Sequence, residues 1–204
     1  MRSVRLVPII IVLNILVFLM WSTGGDERLW FMHNNFAVSW EALQQGRWWV
    51  LVTSVFSHEM FFHLLLNMYV LNGFGDAIES ILGAKRFFVF YMAAGIFSSF
   101  AHAAVSAFLL GKPELPAVGA SGAIAAVLIL FCLLYPKEKL LLFGIIPLPA
   151  MWGALAFVGL DVWGLISQAE GGGLPIGHGA HLGGALFGLI AYFILRPRLV
   201  RVQR

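Results

Sequence analysis

Charge is what this chain has least of. Asp, Glu, Lys and Arg make up 11% of its 204 residues against 60% hydrophobic, and a mean hydropathy of +0.89 excludes a soluble globular domain. Cysteine is almost missing too: Cys132 alone rules out an internal disulfide, and its place deep in an apolar run makes it a packing thiol. There is no basic stripe with interleaved aromatics, so the net charge of +3 is read as topology and anionic head groups, with no nucleic-acid partner. Inverted repeats, paired carboxylates and a charged pore are also lacking, which leaves a channel or transporter little support.

What is there is hydrocarbon in blocks. Six apolar runs, at about 6–22, 58–80, 85–110, 119–135, 147–168 and 178–195, each approach the ~20 residues that a bilayer demands. They consume most of the chain, so residues 1–204 are read as one all-α membrane bundle of six transmembrane helices. The first run is read as a retained helix, because Trp21-Ser22-Thr23-Gly24-Gly25 offers no small-x-small cleavage site. Arg2, Arg5, Lys85, Arg86, Lys137, Lys139, Arg196, Arg198, Arg201 and Arg204 fall on one side, and only Arg28, Arg47 and Lys112 on the other. The positive-inside rule then makes both termini cytoplasmic.

With that orientation the second, fourth and sixth helices run the same way, and their early residues share one depth. His63 and Asn67, Ser121, and His181 all occupy that depth. A hydroxyl and an imidazole in hydrocarbon are costly unless they serve something, and together Ser121 and His181 are a nucleophile and its general base. Small residues beside them, Gly119, Gly122 and Ala125 on one helix and Gly184 and Gly188 on the other, permit close crossing in lipid. His63 and Asn67, four apart on one face, can donate to an oxyanion together with the Ser121 N–H. His58, His102 and His178 are expected at helix ends, hydrated, in supporting or packing roles.

These residues resemble a family. Gly119-Ala120-Ser121-Gly122, His63-Leu64-Leu65-Leu66-Asn67 and Ala180-His181-Leu182-Gly183-Gly184 are similar to the three signatures of rhomboid intramembrane serine proteases, as are Thr53 through His58 and Gly75 through Glu79 with Gly83. The resemblance implies a six-helix fold, a Ser121–His181 dyad with no acidic third member, an oxyanion site, and no cofactor or metal. Two positions depart from the pattern. Trp48-Trp49-Val50, with Arg47 upstream, stands where a Trp-Arg pair is usual, and Ala125 stands where some members place a ring against the histidine, so another ring must brace His181.

The segment 24–57, rich in Trp and Phe, is expected to lie in the lipid interface, and Gly171 through Gly177 to form a mobile cap over a water-filled cavity. The reaction expected is endoproteolysis of transmembrane protein substrates within the lipid bilayer, with Phe157 and Trp163 on the fifth helix as a gate. A pseudoprotease that binds transmembrane helices without cutting is the alternative. A zinc protease is disfavoured because His58-Glu59 and His63 are five apart, roughly 140° around a helix, and Asp161 does not repair that geometry. A Ser-Lys dyad fails because Lys85, Lys137 and Lys139 are placed on the cytoplasmic side and Lys112 in a loop. The shortness of the chain suggests a prokaryotic inner membrane. Oligomeric state is left open.

Overall fold

In lipid there is no water to bond an unpaired amide, so a chain of this composition must satisfy its backbone internally. It does so mainly with helices, in a computed structural model that describes residues 5–142 and 146–202. In chain order these are α1 (Leu6–Ser22), α2 (Asp26–Phe36), α3 (Trp40–Gln44), α4 (Val50–Thr53) with a 3₁₀ turn (Ser54–Phe56), α5 (Phe61–Val70), a π turn (Leu71–Gly75), α6 (Asp76–Leu82), α7 (Ala84–Phe108) and α8 (Ser121–Leu134). A hairpin of β1 (Lys139–Leu142) and β2 (Ile146–Pro149) follows, then α9 (Ala150–Ala169) and α10 (His178–Val202). Arg2 and Arg204, counted above for orientation, lie outside the described residues, as do the side chains of Arg196, Arg198 and Arg201.

Among the described residues three helices are long and apolar enough to cross a bilayer: Ala84–Phe108, Ala150–Ala169 and His178–Leu195. The pair Val50–Phe56 and Phe61–Leu82, bent by 88° at its break, makes a fourth if taken as one span. α1 and α8 are apolar but shorter, at 17 and 14 residues.

Two expected runs depart from the regular α-helices that hydropathy suggests. Residues 58–60 precede the first turn of α5, and the π turn over Leu71–Gly75, with two glycines to loosen the backbone, joins α5 to α6 within the single helical segment Phe61–Leu82. The run expected from 147 opens as a strand: Pro147 and Pro149 have no N–H for a helix interior, and β2 pairs antiparallel with β1 from Lys139↔Pro149 to Leu142↔Ile146. The aromatic segment 24–57 also carries more order than a loop, holding α2, α3 and α4.

α8 is the hub. It is apolar all round and is buried from Gly122 through Val127 and again at Ile129, Leu130 and Cys132, whereas α1 and α9 present Val12, Leu16, Leu155, Leu160 and Trp163 outward. Outward apolar faces of this extent suit lipid. Glu79, itself buried, accepts from the first amides of α1, Leu6 N–H at 2.7 Å and Val7 N–H at 3.0 Å, and so ties that helix to α6.

The closest approach is between α8 and α10. A Cβ added to Gly184 would fall 1.9 Å from the Gly122 carbonyl oxygen, and one on Gly188 would fall 2.5 Å from that of Ala126. Both obstacles are backbone, so nothing can rotate aside. Gly184→Ala is therefore expected to force the helices apart, lowering stability by about 3 kcal/mol or more. Gly159→Ala, where an added Cβ meets nothing within 4 Å, serves as the control expected not to lower it. Thermal unfolding of the two variants in one detergent checks the pair.

Candidate active site

Ser121 is the first residue of α8, and three strands of loop structure hold it there. Val38 and Ala117 exchange backbone hydrogen bonds (2.9 and 2.8 Å), Glu41 N–H reaches the Pro113 carbonyl (2.9 Å), and Gly119 N–H donates to the Ser54 carbonyl (3.0 Å). His102 Nε2–H adds a bond to the Leu115 carbonyl (3.2 Å) from inside α7. The segment 24–57 is thus the clamp on the serine loop. Arg47 strengthens it from upstream, donating to the Asn34 carbonyl, Asn34 Oδ1 and Gln45 Oε1 at 3.0, 2.8 and 2.7 Å.

Gly119 is required twice over. Its φ of +136° is a conformation that side chains rarely adopt, and a Cβ there would stand 2.8 Å from His63 Cε1 and 3.5 Å from Ser121 Oγ. The imidazole of His63 and the hydroxyl of Ser121 therefore flank one small space. Asn67 is buried on the same helix face, donating one amide hydrogen to the His63 carbonyl (2.9 Å) and keeping a second.

The hydroxyl of Ser121 lies 2.9 Å from His181 Nε2. The other nitrogen, Nδ1, lies 2.9 Å from Asp161 Oδ1, and His178 Nδ1 lies 2.6 Å from that same oxygen. A carboxylate oxygen only accepts, so both Nδ1 atoms carry hydrogen, and His181 Nε2 is left as a lone pair that accepts from the Ser121 hydroxyl. Asp161, His178 and His181 also form the group among the described residues that could hold a cation, with ligand atoms within 4.8 Å of one another. Two ligands on one zinc at its ~2.0–2.1 Å bond lengths would stand roughly 3.3 Å apart, so separations of 2.6 and 2.9 Å describe shared protons instead.

All of this opens on a cavity of about 990 Å³ lined by Ser121, His181, His63 and Asn67, with Gly172 through Gly177 along its edge. That glycine segment is held where it is: Gln168 Nε2 donates to the carbonyls of both Leu174 and Ile176 at 2.8 Å. Phe157 lines the same cavity, with its ring centroid 5.7 Å from that of His181 and tilted by 32°.

Comparison with known proteins agrees with the geometry. A family profile described as the Rhomboid domain matches residues 45–198. The chain belongs to the rhomboid family. It is 33% identical over 199 residues to RHOMBOID-like protein 12, mitochondrial, of Arabidopsis thaliana, covering 92% of this chain and 57% of that one. To the human Presenilin-associated rhomboid-like protein, mitochondrial, it is 36% identical over 190 residues, 91% of this chain and 47% of the relative. To Rhomboid protein 1, mitochondrial, of Saccharomyces cerevisiae it is 37% identical over 148 residues, 69% and 40% of the two chains. It spans about half the length of these relatives. Their mitochondrial names overturn the expectation of a prokaryotic inner membrane, which rested on chain length, a property that says nothing of compartment.

Within this rhomboid two further expectations change. The resemblance implied no acidic third member, yet the Asp161 carboxylate bonds the histidine from behind. His58, His102 and His178 are buried, not hydrated: His58 sits with its ring centroid 4.9 Å from that of His63, edge to face, and His102 lies within α7. The ring that braces His181 in place of one at Ala125 is Phe157, while Trp163 is exposed on the outer face of α9.

Sequence reasoning missed Asp161 as a site residue, although its signal was present. Phe157, Asp161, Gly164 and Gln168 recur at four, three and four residues, which is one helix face. Each touches the site: Phe157 the His181 ring, Asp161 both imidazoles, Gly164 the His178 ring, and Gln168 the glycine segment. An aromatic contact of this kind contributes about 0.5–1.5 kcal/mol. Phe157→Ala should therefore lower kcat up to about tenfold with little change in KM, and Phe157→Tyr should retain it; steady-state kinetics on a single-span substrate reads the difference.

Proposed function

We propose that this chain is an intramembrane serine endopeptidase that cleaves transmembrane segments of membrane proteins. The observation that carries the reading is the 2.9 Å contact of Ser121 Oγ with an imidazole nitrogen whose opposite side is already committed to a carboxylate, inside a cavity wide enough for a peptide.

His181 Nε2 takes the hydroxyl proton as Ser121 Oγ bonds to the scissile carbonyl carbon, and the carbonyl oxygen becomes an oxyanion. The Ser121 N–H, unpaired within its helix because it belongs to the first turn, faces that charge with His63 and the second amide hydrogen of Asn67. The intermediate collapses, His181 gives the proton to the departing amine, and water repeats the sequence on the acyl-enzyme. A helical peptide bond is shielded from attack, so the substrate segment unwinds locally before it reacts. Its route passes α9, between Phe157 at the cavity and Trp163 toward lipid.

The same reading takes six spans, counting the short α1 and α8, with both termini on the arginine-rich face. α8 is 14 residues, about 21 Å at 1.5 Å per residue. It is too short to cross alone, so its first residue is recessed below the surface and water reaches Ser121 through the cavity. A mitochondrial membrane, the compartment in the relatives' names, is the setting assigned.

Ser121→Ala should abolish cleavage of a single-span substrate reconstituted in liposomes, with at least a 10⁴-fold loss and unchanged unfolding temperature. Cleavage that survives the substitution would remove the serine mechanism. A wild-type chain that binds the substrate but cuts it in no lipid would replace the protease with a helix-binding pseudoprotease.

A further inference from the structure

We propose that Asp161 is a positioning residue for the proteolytic reaction, a carboxylate that fixes the tautomer and plane of His181, and that His178 holds Asp161 in that role. The inference rests on the protease reading above and extends it from two residues to four.

A carboxylate on a helix long enough to cross the bilayer is costly, and Asp161 is only 5% exposed. Among the described residues no Lys or Arg stands within ion-pair distance of it; its partners are the two imidazoles. Structural cross-linking of helices needs no charge, since neutral polar side chains supply it in lipid. What a carboxylate adds is acceptance without donation. Because Oδ1 cannot give a hydrogen, His181 must carry its proton on Nδ1, and Nε2 must face Ser121 as a base. As the imidazole takes the serine proton it becomes a cation, and the ionised carboxylate stabilises that cation in place.

His178 completes the geometry. Its ring is buried, Nδ1–H donates to Oδ1 at 2.6 Å, and the ring lies in a slot that exists because residue 164 has no side chain. A Cβ on Gly164 would fall 2.3 Å from His178 Cε1 and Nε2. Two donors on one oxygen leave Asp161 a single rotamer, and the bond to His181 is thereby held at its 2.9 Å length between Nδ1 and Oδ1. His178 and His181 are three apart on α10, and Asp161 and Gly164 three apart on α9, so two adjacent helix turns build the whole support.

The test pairs spectroscopy with kinetics. In full-length protein labelled with ¹⁵N-histidine and reconstituted in liposomes, solid-state NMR should find neutral His181 with its hydrogen on Nδ1, assigned by loss of the signal in His181→Gln. Asp161→Asn preserves volume but can present an amide N–H to the ring. It should abolish that signature and lower kcat and the rate of fluorophosphonate labelling at Ser121 by on the order of 10²–10⁴-fold, with KM unchanged. His178→Phe, which fills the slot without a donor, should lower kcat about tenfold, and Asp161→Glu should recover part of the Asn loss. A wild-type His181 protonated on Nε2, or a folded Asp161→Asn protein within threefold of wild-type kcat, would overturn the role of Asp161. Unchanged turnover in His178→Phe would overturn that of His178. The NMR result on wild-type protein needs no variant to fold and no cleavage to occur. Failure of the carboxylate inference is therefore distinct from failure of the serine reaction, which Ser121→Ala reads alone.

Discussion

Everything at this site depends on two helix backbones coming nearer than side chains allow. α8 and α10 meet where Gly184 lies against the Gly122 carbonyl and Gly188 against that of Ala126, with no room for a single added carbon. In lipid no hydrophobic force drives such contact, so it rests on dispersion between close-packed atoms and on small residues that let them approach. Ser121 stands one residue before Gly122 and His181 three before Gly184, at the same end of that crossing, which is why residues sixty apart in sequence share a hydrogen bond.

The crossing sets the distance; α9 sets the chemistry. One face of that helix supplies a ring against His181, a carboxylate behind it, a glycine slot for His178 and an amide that ties down the glycine segment. Elsewhere on its surface Leu155, Leu160 and Trp163 are exposed. A helix loaded so unequally is both wall and support. Any movement of α9 therefore also moves the groups that hold His181.

The segment 24–57 plays a quieter part. α2, α3 and α4 do not reach the chemistry, yet the Val38 and Ala117 pairing and the Gly119 bond to Ser54 fix the loop from which Ser121 emerges. Trp40 packs edge to face on Phe108 of α7, 4.7 Å between centroids, and anchors α3, while Trp30, Trp48 and Trp49 stay exposed. Trp40 is thus a strut between α3 and α7. The Arg47 side chain, displaced from its usual place, still finds Asn34 and ties α2 to the turn before α4.

Composition and periodicity determined the membrane as solvent and the helical class, the placement of rare polar residues singled out Ser121, His181, His63 and Asn67, and the resemblance of their motifs pointed to the family. These are local properties, since an apolar run, a glycine beside a serine and two donors four apart carry their meaning wherever the chain folds. The β-hairpin before α9 and the π turn between α5 and α6 go with prolines and glycines that hydropathy averages away. Tertiary structure alone decided that Asp161 belongs to His181, that Phe157 braces it, and that three histidines expected in water are buried. The roles of Asp161 and Phe157 depend on the rotation of α9 about its own axis, and the burial of His102 on that of α7. A helix that is apolar on nearly every side carries no moment strong enough to fix that rotation; only packing against its neighbours does.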